Sequence, residues 1–179
     1  DALKCIERDV GPLNGVVHAA GIAGGGLIAS STPAQADKVF AAKVRGTKKL
    51  LSLLADKPID FIVLCSSLAG VAGGIGKVDY AAANAYMDAA AMRAQRDDRR
   101  VISIAWDGWR GVGMAAKTDM PEGAGIEPSS GVLAFTHIVN GMGAPQIVVC
   151  PDDLNASLNM DVTAMLDALA ARWTPPHAS

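Results

Sequence analysis

Three features of the sequence predict an α/β fold built on a doubly wound parallel sheet. Four short apolar runs, at residues 15–21, 61–65, 101–106 and 146–150, have the length and composition of buried strands. Longer stretches with helical character separate them, and strand–helix alternation of this kind predicts parallel strands with helices on both faces. The 179 residues, half of them apolar and 19 % charged, suffice for one such core.

Each element has its own signal. The run at 15–21 ends in Gly21, and Phe61-Ile62-Val63-Leu64-Cys65 is the clearest strand of the four. The fourth run is closed by Pro151, which cannot continue a ladder. A first helix is expected from Thr32, an N-cap residue, with Pro33 at the first helical position, to about residue 55. Val39, Gly46, Leu50 and Leu53 mark its apolar stripe. A second helix, rich in alanine, is expected over 80–98. A third follows Pro128 and stops near Asn140-Gly141. Residues 161–172 are expected to add a helix and 174–179 a linker, so that 1–160 form the folded unit and 161–179 its C-terminal appendage. The Gly-rich turn that opens a nucleotide-binding sheet does not occur before Gly15, and Gly24-Gly25-Gly26 lacks its spacing. The N-terminal, phosphate-cradling half of such a fold is therefore expected upstream of Asp1.

Composition narrows the function. A net charge of −2 and an aromatic content of 4 % argue against nucleic acid as a partner. No apolar run reaches the roughly 18–20 residues that span a bilayer, and no basic segment leading into an apolar run opens the chain. Cys5, Cys65 and Cys150 are too far apart for a zinc site or a disulfide framework, and Cys65 and Cys150 read as small core residues. A cytoplasmic protein with no metal is expected.

Four residues do not behave like packing. Lys43 lies four positions after Val39, on the stripe of the first helix, where an ammonium costs desolvation unless it is paired or used. The bland alternative is a lysine that snorkels from the stripe's edge. Ser67 follows the second strand, at the end where α/β folds carry their reactive groups. Tyr80 opens the alanine-rich helix, and Asn84 shares its face one turn on. Taken singly, Ser67 is an ordinary strand terminator and Tyr80 an amphipathic residue at a helix start. Together they supply what carbonyl reduction needs. A phenol donates the proton, an ammonium favours its ionised form, a hydroxyl holds the carbonyl oxygen, and an amide orders the network.

His18-Ala19-Ala20-Gly21, Lys43, Ser67, Tyr80-Ala-Ala-Ala-Asn84-Ala-Tyr86-Met-Asp88 and the Trp106-x-x-Trp109 segment resemble a ketoreductase domain of a type I polyketide synthase, within the short-chain dehydrogenase/reductase superfamily. The similarity runs from about residue 13 to 154, and 1–160 then read as the catalytic, Rossmann-like C-terminal portion of such a domain. Simple superfamily members carry a lysine four residues after the tyrosine; this chain has Asn84 there, with Lys43 on the preceding helix, the exchange typical of polyketide ketoreductases. The resemblance implies that Tyr80 is the general acid, that Ser67 orients the carbonyl, that Lys43 lowers the Tyr80 pKa and reaches the nicotinamide ribose, and that Asn84 completes the proton network. It implies cofactor contacts at Ala19, Ala20, Gly21, Lys43, Tyr80, Gly108 and Trp109, and a substrate-covering segment with Trp109, Gly113 and Met114. The implied cofactor is NADPH. The implied substrate is a β-ketoacyl group on the phosphopantetheine of an acyl carrier protein, and the upstream half of the domain is an implied partner.

The chain departs from the family at three places. The Leu-Asp-Asp mark of one stereochemical class is replaced by Ala23-Gly24-Gly25, the tryptophan mark of the opposite class by Ala72, and a frequent proline between the two tryptophans by Gly108. The segment 111–125, with Lys117, Asp119 and Pro121, has turn chemistry and is expected to be a lid. His18 is expected to be a core or loop histidine, and His137 and His177 to be inert. Two other readings fit the residues: a different short-chain reductase, such as that of a fatty acid synthase, and a non-catalytic structural or docking module. By themselves the 179 residues are expected to be inactive, marginally stable and weak in cofactor binding.

Overall fold

The computed structural model describes residues 2–117, 120, 123–141, 143–158 and 167. Four strands, β1 (Gly15–His18), β2 (Phe61–Ser67), β3 (Arg100–Trp106) and β4 (Gln146–Val149), form a sheet in the order β1-β2-β3-β4. All three pairings are parallel, with Val16 beside Ile62, Ile62 beside Val101 and Ile104 beside Ile147. Helices α1 (Ala2–Asp9), α2 (Pro33–Phe40), α3 (Gly46–Leu53), α4 (Ala69–Ala72), α5 (Val78–Arg93), α6 (Pro128–Asn140) and α7 (Leu154–Leu158) accompany them. The expected Rossmann-like sheet is present, and these strands step in one direction across it.

Both faces of the sheet are buried, and the pleat decides which side chain goes where. Ile62, Leu64 and Val101 point to one face, where Leu54, Ile59, Met87 and Ala91 close over them. Val63, Ile102, Ile104 and Trp106 point to the other, against Ile126 and the Ala134, Phe135 and Ile138 side of α6. This double burial explains why the strands are continuous apolar runs.

The start of α2 forms as its residues dictate. Thr32 accepts from the Gln35 amide, the Gln35 side chain accepts from the Thr32 amide, and Pro33 occupies the first turn. Between α2 and α3 the helix does not stay regular: Ala41–Arg45 form a π-turn. This turn corrects the expected stripe. Val39, Lys43, Thr47 and Leu54 face inward, whereas Leu53 is 46 % exposed, because the extra residue in the turn rotates everything after it.

Other boundaries shift for local reasons. β1 stops at His18 instead of running to Gly21: the next carbonyl of β2, that of Cys65, accepts from Lys43 Nζ. The alanine-rich helix ends at Arg93, not 98. The Gln95 side chain takes the Ala91 carbonyl at 2.7 Å, and Arg96 and Arg99 pair across a tight turn into β3. Helices α1, α4 and α7 lie in segments where no helix is expected. The helix expected over 161–172 and the linker at 174–179, His177 included, lie outside the described residues apart from position 167.

Candidate active site

The expected site residues converge on the C-terminal ends of the strands, where open α/β sheets bind ligands. Lys43 is 2 % exposed. Its Nζ donates to the Cys65 carbonyl at 2.8 Å and lies 3.6 Å from Met87 Sδ. It also stands 5.5 Å from the centroid of the Tyr80 ring. Lys43 therefore does not snorkel; it is held inside, pointing at the tyrosine. Burial brings its pKa down to about 8, against the opposing pull of Cys65 and of Asp88.

Asn84, fully buried, donates from Nδ2 to the Tyr80 carbonyl at 2.7 Å, while its Oδ1 has no partner. Tyr80, Asn84, Met87 and Asp88 thus share the inward face of α5. Ser66 fastens that face to β2, donating from Oγ to the Asn84 carbonyl at 3.3 Å. Ser67 closes β2, and its Oγ accepts from the Ala69 amide at 3.2 Å, so its own proton is free for another acceptor. Asp79 accepts the Tyr80 amide at 2.7 Å, and its carboxylate lies where a Cβ on Gly24 would have to be.

After β1, Ala19 and Ala20 are exposed and Gly21 passes close to Lys43. A Cβ on Gly21 would sit 3.1 Å from Lys43 Cε and 3.7 Å from Met114 Cε, so Gly21, Lys43 and Met114 meet at one point. Gly113, at φ +65°, is in the left-handed region beside Met114. Trp109 goes elsewhere. Its ring stands edge-on to Trp106, with centroids 5.1 Å apart, and presses on Gly131 of α6. Gly108 and Arg110 pair with Ile126, tying the two ends of the expected lid together. Within that lid, 118–119 and 121–122 lie outside the described residues, Asp119 and Pro121 among them.

Two participants were not foreseen. Asp88 Oδ1 accepts from Ser103 Oγ at 2.5 Å, a buried pair whose charge supports the Lys43 ammonium. Its position one turn after Asn84 on the same helix face was a usable signal. The Cys65 carbonyl was not findable, being a backbone group. The cavity of about 290 Å³ lined by Leu3, Leu13 and Ile59 lies at the opposite, N-terminal ends of the strands. Among the described residues no cluster of potential metal ligands occurs, and no helix is long and apolar enough to cross a membrane.

A family model described as the KR domain matches residues 1–111. The chain belongs to the KR-domain family, the ketoreductases of polyketide synthases. Its KR sequence is 33 % identical over 157 residues to part of the phenolphthiocerol/phthiocerol polyketide synthase of Mycobacterium tuberculosis, covering 83 % of this chain and 8 % of that protein. It is 37 % identical over 108 residues to a 6-methylsalicylic acid synthase of Aspergillus terreus, covering 60 % of this chain and 6 % of that one. Among solved structures, the ketoreductase from the first module of phoslactomycin biosynthesis in Streptomyces sp. HK803 superposes with a TM-score of 0.76 at 30 % identity. That match covers 98 % of this KR chain and 40 % of the other. A ketoreductase domain from the bacillaene assembly line gives 0.68 at 32 % identity, covering 83 % and 39 %. The chain thus spans less than a tenth of these curated synthases and about two fifths of these ketoreductases.

Proposed function

We propose that this chain is the catalytic portion of a ketoreductase that reduces a β-ketoacyl thioester, carried on the phosphopantetheine arm of an acyl carrier protein, to the β-hydroxyacyl thioester. NADPH supplies the hydride when bound. One observation carries the reading: a lysine with no carboxylate in contact is buried against β2 and aimed at a tyrosine, and one turn from that tyrosine stands an asparagine whose carbonyl oxygen is unsatisfied. Core packing does not explain that combination, because a buried ammonium with no carboxylate in contact and an orphaned amide oxygen both cost stability. Catalysis does.

The residues fit a nicotinamide cofactor. Gly21 leaves open the space beside Lys43 that a Cβ would fill, and Asn84 Oδ1, one turn from Tyr80 on α5, is an unused acceptor. In this reading Ser67 donates to the substrate carbonyl oxygen, and Tyr80 gives it a proton as negative charge develops there. The Lys43 ammonium stabilises the charge left on the tyrosine oxygen and offers its remaining protons to the cofactor ribose. Asn84 accepts from the water or ribose hydroxyl that returns the proton. Ala19, Ala20 and Gly108 would line the approach of a nicotinamide, and Met114 would cover it. The phosphates of the cofactor fall to the upstream half of the domain, the partner that carries the Gly-rich turn.

Replacing Tyr80 by Phe in the complete protein removes the proton donor and little volume. NADPH oxidation with a β-ketothioester is expected to fall by about 10²–10⁴ with folding unchanged. Undiminished turnover would refute the assignment.

A further inference from the structure

A lysine ammonium carries three N–H donors, and inside a protein each of them calls for an acceptor. For Lys43 the structure provides two. The Cys65 carbonyl of β2 takes one proton at 2.8 Å, and the thioether of Met87 on α5 takes another at 3.6 Å, the longer contact that a sulfur acceptor makes. Met87 is fully buried. It stands seven residues after Tyr80 and three after Asn84, so the three share one face of their helix. The ammonium is thus held from two directions, by the sheet and by the helix that carries the tyrosine. One proton is left. A Cβ on Gly21 would lie 3.7 Å from Nζ, and because glycine has none, that side of the ammonium is open to a ligand. Packing alone does not call for sulfur at position 87. Leucine has nearly the same volume and a similar helix preference, so either residue would fill the space. What leucine lacks is the acceptor.

We propose that Met87 is a positioning residue for the reductase reaction: its thioether accepts one Lys43 proton and, with the Cys65 carbonyl, holds the ammonium in the orientation that leaves a single N–H for the cofactor side. The inference rests on the reductase reading above and narrows what Lys43 offers there to one proton. Met87 has no part in the chemistry assigned to Tyr80, Ser67, Lys43 and Asn84, and acts through Lys43. With carbon in place of the sulfur at equal volume, two protons of a buried ammonium lie unclaimed, which disfavours the charged form. The lysine pKa falls, and a rate that needs the ammonium is lost at a lower pH than in the parent. The titratable groups facing Lys43 are His18 from β1, Cys65 from β2, and Tyr80 and Asp88 from α5. All of them stay the same when only position 87 is changed, so a moved titration reports on that position.

The test compares Met87→Leu, which keeps the volume without an acceptor, and Met87→Gln, which restores an acceptor on a side chain of similar length, in the full-length protein. Two quantities are read in NADPH oxidation with a β-ketothioester: kcat at neutral pH, and the pH at which kcat/KM falls on the alkaline side. In Met87→Leu we expect kcat to drop at least about threefold and the alkaline fall to come at least about half a pH unit lower, at a melting temperature close to the parent's. In Met87→Gln the alkaline fall should return to the parent's pH or above it. A Met87→Leu protein that matches the parent in both readouts would overturn the proposal. So would one that loses rate with its alkaline fall unmoved, which is what a packing role gives, or a Met87→Gln protein whose alkaline fall is as low as that of Met87→Leu. If one variant does not fold, the other decides alone by its own expected result. If the parent itself shows no turnover, the reductase reading fails, and the titration of Lys43, followed by NMR of isotopically labelled lysine side chains, still decides the role of Met87. A lower midpoint in Met87→Leu than in the parent supports it, and equal midpoints overturn it.

Discussion

Burial moves one amine of the candidate site far from its ordinary titration range. With a pKa near 8, Lys43 is largely an ammonium at neutral pH and loses its charge in a range ordinary lysines do not reach. If the reaction uses the charged form, kcat/KM should fall above about pH 8, and Lys43→Met should lack that limb while losing most of the rate. A pH–rate profile of the two proteins checks this. Stability moves the other way. The folded-state pKa lies below the unfolded one, so between about 8 and 10.5 the unfolded chain binds the extra proton. The penalty for burying the ammonium is therefore present in full below that window and is relieved as pH rises through it. Lys43 was legible because a basic residue on an apolar stripe is an anomaly. Tyr80 and Asn84 were legible through their one-turn spacing. The Cys65 carbonyl that holds Lys43, and the Asp88 carboxylate whose charge favours its ammonium, belong to other elements and become neighbours only once the sheet exists.

Elements were readable in proportion to the strength of their punctuation. Thr32-Pro33 and Pro128 mark helix starts, Gly141 marks a stop, and all three do so in the structure. The π-turn at Ala41–Arg45 has no residue type that encodes it, and the short helices α1, α4 and α7 rest on few residues each. The Trp109 ring was expected near the cofactor by resemblance alone; its packing on Gly131 was invisible because that contact joins a loop to a helix. This packing makes its own prediction. Gly131→Ala would ordinarily favour a helix by about 1 kcal/mol. Here the new methyl would lie 2.7 Å from Trp109 Cζ3, against a ring also packed on Trp106. Overpacking of that kind costs about 1–3 kcal/mol, so the substitution should be neutral at best and otherwise destabilising. Thermal unfolding reads it as a fall of about 2–4 °C per kcal/mol.

For the molecule as a whole, alternation of apolar runs and helices was enough to predict the parallel sheet, because each run is apolar throughout and so must be covered on both sides. The strand order was not specified by that pattern. The outer strand β1 pairs on one side with β2, and Val17 on it is 47 % exposed. An edge with apolar side chains invites pairing. Nucleotide binding should depend on what pairs there. Isothermal titration of NADPH into the 179-residue chain, and into the protein extended upstream by about 150 residues, is expected to show binding by the longer form and little by the shorter. Equal affinity would place the whole cofactor site within these 179 residues.

The one-directional march of the strands bears on how the chain reaches its native state. Gly15 waits for Phe61, Phe61 for Arg100, and Ser103 for Gln146, so every pairing closes a loop onto the strand made just before it. No strand has to be threaded between two already in place. The sheet can therefore grow in the order of synthesis, each crossover helix docking as its strand is added. The entropy of loop closure is met in similar instalments, since its dependence on loop length is only logarithmic. Lys43 can meet the Cys65 carbonyl of β2 before α5 has been made, and its enclosure is complete only when α5 brings Tyr80 and Met87 over it.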